Sequence, residues 1–581
     1  MQYGEYTSPG LHILTEPLKI ESGAHLTAEV GARLTGGVKL RAQPCGNGVW
    51  VCDLAEAGIT PAPFVSRGFG RKISPSHSEL FLDGEPMRIS RYPREEFVTI
   101  TGVGEPASDE WNEPCGRLTG GFSYEDDRPK EWAEGQEIWV HGYWSWDWAP
   151  SREKIESWDK ERGFLMTAPP YGQYQFRIGQ RFCFFNIREE VKEPGDYCID
   201  YRAGKVYFFP EEDFDPETSE LLLSNADFPA FLLDGVEDVV LEGFTVEAFR
   251  GNGVEIRNCR NVTLDGFTVR NIGNRGIVAD NSFGVTVSDC HIHDTGDGGV
   301  GFYCGDRATL TPADCTVEDC HIHDVAAWDR CYEPPIRLYG VGLSAQRNRI
   351  HDCPHSAVLF GGNEISVTDN EIYRVVLETG DAGAIYGGRD FTYRGNEVSR
   401  NFIHHVGSGI GMGTMGIYND DCLSGTVMKN NVFYKVQRAV FLGGGVDFTV
   451  EGNVFVDCYP AVEIDGRGQS DHVMWRNMVK GILHDRFYSI DGNTGVSAAD
   501  ELYLSRYPEL ARIDEFYRAD PAPHIPPSAR MIGNVFCSER KIEYTWNTEG
   551  GCFTEECNAD MERMELRRLL TDYEFDVIMR K

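Results

Sequence analysis

Basic charge is what this sequence has least of: 55 Lys and Arg stand against 91 Asp and Glu, a formal net charge of −36. Such a surface repels phosphate backbones, so nucleic acid is excluded as an expected partner. It also disfavours polyanionic substrates unless a local basic cleft overrides the global field. Long apolar runs are missing too. None approaches the ~18 residues of a membrane-spanning helix, so no membrane association is expected. The first residues, MQYGEYTSPGLHILTEPL, carry no basic stretch followed by an apolar one. No signal peptide is therefore read, and a cytoplasmic location is expected unless a leader has been trimmed. The 17 cysteines form no CxxC pair. They are read either as disulfide or zinc ligands, or as free thiols stacked in a core, where Cys acts as a small hydrophobe. The second reading suits a reducing compartment. It places Cys290, Cys320 and Cys353 at one point of successive repeats.

What the sequence has is a repeat. GNGVEIRNC, NRGIVADNS, DGGVGFYCG, HSAVLFGGN, DAGAIYGGRD, TMGIYNDD, QRAVFLGGG and YPAVEIDGRG each show a small residue, an aliphatic one and then alternation. The small residues are Gly253, Gly276, Gly299, Ala357, Ala384, Gly416, Ala439 and Ala461, and most steps between them are 22 or 23 residues. Longer steps mark loop insertions or an extra coil, IRLYG near Tyr339. A second strand precedes each, as in VTLDGFTVRNI and FTVEGNVFVDC, with a polar turn where Asn430, Asn431 and Asn453 sit. Short β-branched strands with period-2 alternation, separated by turns, are strands and not helices. Stacked Asn at one turn is positioned to hydrogen-bond along the axis. The fold class expected is all-β: a right-handed parallel β-helix solenoid with an inserted β-sandwich or barrel-like domain and short C-terminal helices. The expected division is an N-terminal cap and first coil over 1–60, a Trp-rich β domain over 61–225, the solenoid core over 226–480, and a helical segment with a last coil over 481–581.

Alternation also sorts the side chains of each repeat. The aliphatic residue points inward. The next residue points out, giving Tyr386, Tyr418, Phe441 and Glu463, and two further on come Asp420 and Asp465, with glycines between them as open floor. Asp381 lies in the loop just before its strand, and Asp421 at a strand end. Arg389, His404 and His405 are read into the same zone as groups that bind hydroxyls or orient carboxylates. The cluster HGYWSWDW, with Trp144 and Trp146, is either a sugar-stacking platform or the core of a β domain. Carboxylates facing each other across a glycosidic bond are the apparatus of glycoside hydrolysis.

ETGDAGAIYGGRDFTYRGNEVSRNFIHHV, MGIYNDDCLSG, AVFLGGGVDFTVEGNVFVDC and AVEIDGRG together resemble bacterial β-helix glycoside hydrolases. The nearest resemblance is to glycoside hydrolase family 141, with family 120 as a looser relative. It implies action on fucosides, xylosides or xylans through a pair of acidic residues, which carry over onto Asp381 and onto Asp420 or Asp421. The expectation is a cofactor-free glycosidase acting on neutral oligosaccharides, with catalytic candidates Asp381, Asp420, Asp421, Glu463 and Asp465. Calcium and homo-oligomerisation stay open. Two other classes remain: a polysaccharide lyase or epimerase on the same fold, disfavoured by an outer face that is acidic and nearly free of Lys, and a non-catalytic carbohydrate-binding solenoid.

Overall fold

The computed structural model describes residues 3–580. Three long parallel sheets run along one axis, with 13, 12 and 12 strands. Each coil contributes one strand to each sheet, in the order seen at Val254–Arg257, Arg260–Asp265 and Thr268–Ile272. We name these the groove sheet, the third sheet and the histidine sheet. The solenoid is a right-handed parallel β-helix. Its lumen is one continuous apolar core from Leu14 to Phe536, built by the inward aliphatics of every coil. A core that grows lengthwise in this way escapes the size limit of a single globular core.

The turn between the third and histidine sheets explains the polar dipeptide in each repeat. Its first residue is left-handed in coil after coil: Gly266 (φ 62°), Asp289 (52°), Asp319 (55°), Asp369 (60°) and Asn430 (56°). Gly, Asp and Asn tolerate this region best. Its second residue points into the core, as Phe in the early coils (Phe244, Phe267) and then as Cys or Asn. The ladder begins with Cys290, whose N–H donates to Cys320 Sγ at 3.4 Å. It then becomes a buried asparagine ladder through Asn348, Asn370, Asn401, Asn431, Asn453, Asn534 and Asn558. Asn431 Oδ1 accepts from the Asn401 N–H at 3.0 Å, and Asn431 Nδ2 donates to the Val398 carbonyl at 2.9 Å. Asn430 is therefore a turn residue and Asn431 a ladder residue. Cys353 is not in the Cys290–Cys320 column. It follows His351 and caps the next turn, where other coils place Val325 and Val375.

Asn431→Ala removes a buried group that serves both neighbouring coils. At about 1–3 kcal/mol for each buried group left without a partner, a loss of roughly 2–5 kcal/mol is expected. Urea denaturation of the variant measures it, and a loss below 1 kcal/mol would show that water replaces the amide at no cost.

Two insertions leave the solenoid at opposite borders of the groove sheet. The first, residues 36–230, interrupts the connection from the histidine-sheet strand Ala32–Thr35 to the groove-sheet strand Phe231–Asp234. It contains three small sheets and a closed barrel of six strands: Val98–Val103, Phe122–Tyr124, Phe164–Thr167, Ser151–Asp159, Trp139–Tyr143 and Arg181–Phe185. The barrel has its own aromatic core. The second insertion, residues 466–527, separates the groove-sheet strand Val462–Asp465 from the third-sheet strand Ser528–Ile532. It carries the helical run Val473–Tyr488 and the helices Glu501–Arg506 and Leu510–Ala519. No described helix is long and apolar enough to cross a membrane.

Candidate active site

The outward column of the groove sheet has the register Leu359–Tyr386–Tyr418–Phe441–Glu463. The Tyr386 and Tyr418 rings meet edge to face at 5.3 Å, and Tyr418 meets Phe441 in the same way at 5.1 Å. Both tyrosines act as donors to acids. Tyr386 Oη donates to Asp420 Oδ2 at 3.1 Å, and Tyr418 Oη donates to Asp381 Oδ1 at 3.1 Å. Two adjacent coils thus hold two carboxyls over one aromatic floor. Gly388 permits this, because a Cβ there would lie 3.1 Å from the Asp420 carbonyl and 3.2 Å from the Tyr386 hydroxyl.

The residue that organises the acids is Arg467, which the sequence reading did not select. Its Nη1 donates to Asp420 Oδ1 at 2.6 Å and to Asp421 Oδ1 at 3.0 Å. Its Nε and Nη2 hold both oxygens of Asp465 at 2.7–3.1 Å. Gly443, read as open floor, is the place this guanidinium crosses: a Cβ there would come within 3.2 Å of Arg467 Cζ. Asp465 is buried, with both oxygens bonded to Arg467. Asp421 pairs with both Arg389 and Arg467. Glu463, at the end of the column, pairs with Arg438 at 3.0 Å.

Electrostatics separate these acids. Burial, reinforced by the Asp421 and Asp381 charges, pushes Asp420 up to about 7 against the pull of Arg467. Asp381 is also raised, by burial first and by Asp421, with Arg467, the Tyr418 hydroxyl and Arg438 opposing. Burial raises Glu463 as well. A carboxyl titrating near neutrality beside a second acid on the next coil can hand over and recover a proton at physiological pH. Two tyrosines and a guanidinium fix the geometry of both.

The insertions wall this floor. On the barrel side, Tyr332 packs edge to face on Tyr386 at 5.8 Å and touches Phe69 at 5.4 Å, and Trp148 lies 6.4 Å from Tyr332. On the helical side, Arg486 Nη1 donates to the Arg389 carbonyl at 2.5 Å, and Trp475 lies 4.8 Å from the Arg467 guanidinium. The two walls touch each other beside Arg467: Trp111 of the first insertion stacks on His472 of the second at 4.6 Å and meets Trp475 at 5.9 Å. In the opposite direction the outward column that carries Asp420 continues to Tyr339 and Tyr303, whose rings are parallel to 16° with centroids 6.1 Å apart. The Tyr339 ring leans over Gly361, where a Cβ would lie 2.6 Å from it.

Two expectations are corrected. His404 and His405 are not in this site. His404 belongs to the histidine sheet, between Tyr373 and Tyr434, and stacks on Tyr373 at 4.9 Å. His405 is the left-handed residue that ends that strand (φ 52°) and bonds to His404. They are close to Asp381 in sequence, but each coil spreads its residues over three faces. Trp144 is in the barrel core, its indole N–H donating to Ser151 Oγ at 2.9 Å. Trp146 is half-buried under the Arg177 guanidinium at 4.0 Å and stacks on Trp148 at 6.5 Å. The tryptophans in the walls of the floor are Trp148, which meets Tyr332, and Trp111 and Trp475, which meet beside Arg467. Of these, Trp111 and Trp475 carry no repeat signal, and Tyr332 sits in a loop insertion where the period is broken.

The family described as right handed beta helix region matches residues 218–339 and 335–494. No curated protein matches the chain. Among solved structures, one described as a glycoside hydrolase is 12% identical, covers 98% of this chain and 91% of its own, and superposes with a TM-score of 0.53. A complex of XylC with xylose is 10% identical over 95% of this chain and 80% of its own, with a TM-score of 0.46. An alginate lyase from Paenibacillus sp. str. FPU-7 is 15% identical over 42% of this chain and 75% of its own, with a TM-score of 0.25. At 12% identity the first of these likenesses carries the fold alone.

Proposed function

We propose that this chain is a glycoside hydrolase that removes sugar units from the end of a neutral oligosaccharide, with Asp420 as general acid and Asp381 as the facing base or nucleophile. One observation carries the reading: two carboxyls of raised proton affinity sit on adjacent coils, each held by a tyrosine hydroxyl, on a floor of aromatic rings. Protonated Asp420 supplies the proton that the leaving glycosidic oxygen needs. Asp381 serves the anomeric carbon or a water beside it. Asp421 and Arg467 hold Asp420 in place, and Arg438 pairs Glu463 at the edge. The rings of Tyr386, Tyr418 and Phe441 give apolar surface to the C–H face of a pyranose.

Chain-end action follows from the shape of the trough. The contact of Trp111 with His472 and Trp475 bars the C-terminal side just past Arg467. Away from that contact the column continues to Tyr339 and Tyr303, three and four coils from Asp420 and partly exposed. At ~4.8 Å per coil that is about 14–19 Å, room for several sugar units. A substrate whose terminal unit sits at the acids would extend along this platform. The acidic surface favours neutral sugars over uronates, and fucosides, xylosides and related units are the first to try.

The test is a screen of 4-nitrophenyl fucosides, xylosides, galactosides and arabinosides, followed by tetrasaccharides of the sugar that reacts. Turnover with monosaccharide as the first product is expected. First products of internal cleavage would overturn the chain-end assignment. Unsaturated uronate released from acidic polymers would replace the hydrolase with a lyase.

A further inference from the structure

The sequence repeats a second motif that the groove does not use: HIHD at 291–294 and 321–324, and RIHD at 349–352. These segments are consecutive strands of the histidine sheet, facing away from the lumen on a different side of the solenoid from the acids. Parallel pairing puts His291 beside His321 and Arg349 in one column, and His293 beside His323 and His351 in the next. The rings stack along each column: His291 on His321 at 4.9 Å and 3°, and His323 on His351 at 4.9 Å and 3°.

Stacking alone would make this a packing device, but two further features are not required by packing. The first is a carboxylate behind each ring of the second column. His293, His323 and His351 place Nδ1 at 2.6, 2.7 and 2.6 Å from the carboxylates of Asp294, Asp324 and Asp352. An ionised carboxylate only accepts, so Nδ1 carries the hydrogen and Nε2 keeps its lone pair. The second is the direction of those lone pairs. His323 Nε2 lies 2.8 Å from His291 Nε2, and His351 Nε2 lies 2.7 Å from His321 Nε2. The ligand atoms of His291, His321 and His323 all lie within 4.8 Å of one another. Arg349, next in the first column, is drawn aside by the Tyr373 hydroxyl at 2.7 Å and by Glu371.

We propose that His291, His321 and His323 form a binding site for a borderline divalent transition metal of the zinc class, with Asp324 as the outer carboxylate that fixes His323. Zn–N bonds of about 2.0–2.1 Å set tetrahedral ligand nitrogens about 3.3 Å apart, between the 2.8 Å of the closest pair and the 4.8 Å limit of the trio. Small ring rotations reconcile them. The metal takes the place of two protons, the one His291 Nε2 now gives to His323 and the one His321 Nε2 gives to His351; each moves to the Nδ1 of its own ring or to solvent. Imidazole ligands backed by carboxylates are the donor set of zinc, nickel and copper sites, whereas calcium takes oxygen. The site is remote from Asp381 and Asp420, so its role is to clamp successive coils and not to take part in the chemistry of the groove.

Calorimetric titration of the untagged full-length chain with ZnCl2, and visible spectra with CoCl2, test this. One saturable site is expected, with a tetrahedral cobalt spectrum. His323→Ala should lose saturable binding. Asp324→Asn, which keeps all three rings, should weaken it about 10–100-fold, and His524→Ala, on a distant exposed loop, should leave it unchanged. Zinc should raise the melting temperature of wild type and not of His323→Ala. Absence of saturable binding to wild type overturns the proposal, as does an unchanged affinity in His323→Ala.

Discussion

Asp420→Asn is expected to cost about 10²–10⁴-fold in kcat, the usual contribution of a positioned general acid, while making the protein more stable at neutral pH. The first effect follows from the missing proton. An amide accepts the Tyr386 hydroxyl as the carboxyl does but cannot protonate a leaving oxygen. The second follows from the cause of the raised pKa. Burial and the charges of Asp421 and Asp381 disfavour ionised Asp420. Because the folded pKa of about 7 stands above the ordinary 3.8, the folded chain binds this proton more tightly than the unfolded chain does. The stabilising effect of the proton is fully present below the unfolded value and is lost as pH rises towards about 7. Asn removes the penalty, on the order of 1–3 kcal/mol above neutrality, given that one pKa unit is about 1.4 kcal/mol and that neighbours share the effect. Urea denaturation at pH 8 should therefore favour the variant, and at pH 4 the two proteins should converge. An inactive variant that is also less stable at pH 8 would show that Asp420 holds the fold together instead of doing chemistry.

Arg467→Met is expected to act in the opposite sense. The guanidinium is buried and holds three carboxylates at once. Removing one partner of a buried ionic group costs roughly 3–5 kcal/mol, because the charges left behind are desolvated and unpaired. Arg467 is also a cause that lowers both Asp420 and Asp381. Without it both carboxyls hold their protons to higher pH. The pH–rate profile should move to the alkaline side, and the stability deficit should be largest at pH 8 and shrink as the carboxyls protonate on acidification. Measuring kcat/KM from pH 5 to pH 9 together with denaturation midpoints tests this. A variant that loses stability but keeps the wild-type profile would show that the guanidinium does not govern the acids.

The solenoid was legible because each coil repeats the same local problem. An inward aliphatic, a left-handed turn residue and a buried amide recur at a nearly fixed period, and period 2 then assigns faces. That is why the small-residue alignment placed Tyr386, Tyr418, Phe441 and Glu463 in one column, which is their register in the structure. What was not legible lies where the period breaks. Arg467 is the second residue beyond a strand, at the mouth of an insertion, and its reach back over Gly443 depends on a side chain bending against the direction of the chain. Tyr332 and Trp111 lie in segments without repeats. The histidines failed differently. His404 is close to Asp381 along the chain, but one coil turns the backbone through three faces, so proximity in sequence is not proximity on a face. Trp144 and Trp148 have the same composition signal, and only the closure of the barrel decides that one is interior and the other packs outside it on Tyr332.

The meeting of Trp111 with His472 has a consequence for how the protein matures. Trp111 belongs to a segment that leaves the first coil, and His472 to one that leaves near the last. The stacked coils between them are local neighbours and can form by propagation, but this contact joins parts of the chain that are remote in sequence and must wait for the whole stack. Refolding followed by circular dichroism would then run ahead of refolding followed by catalysis. Loss of the helical insertion would leave the stacked coils in place with the floor unbarred past Arg467.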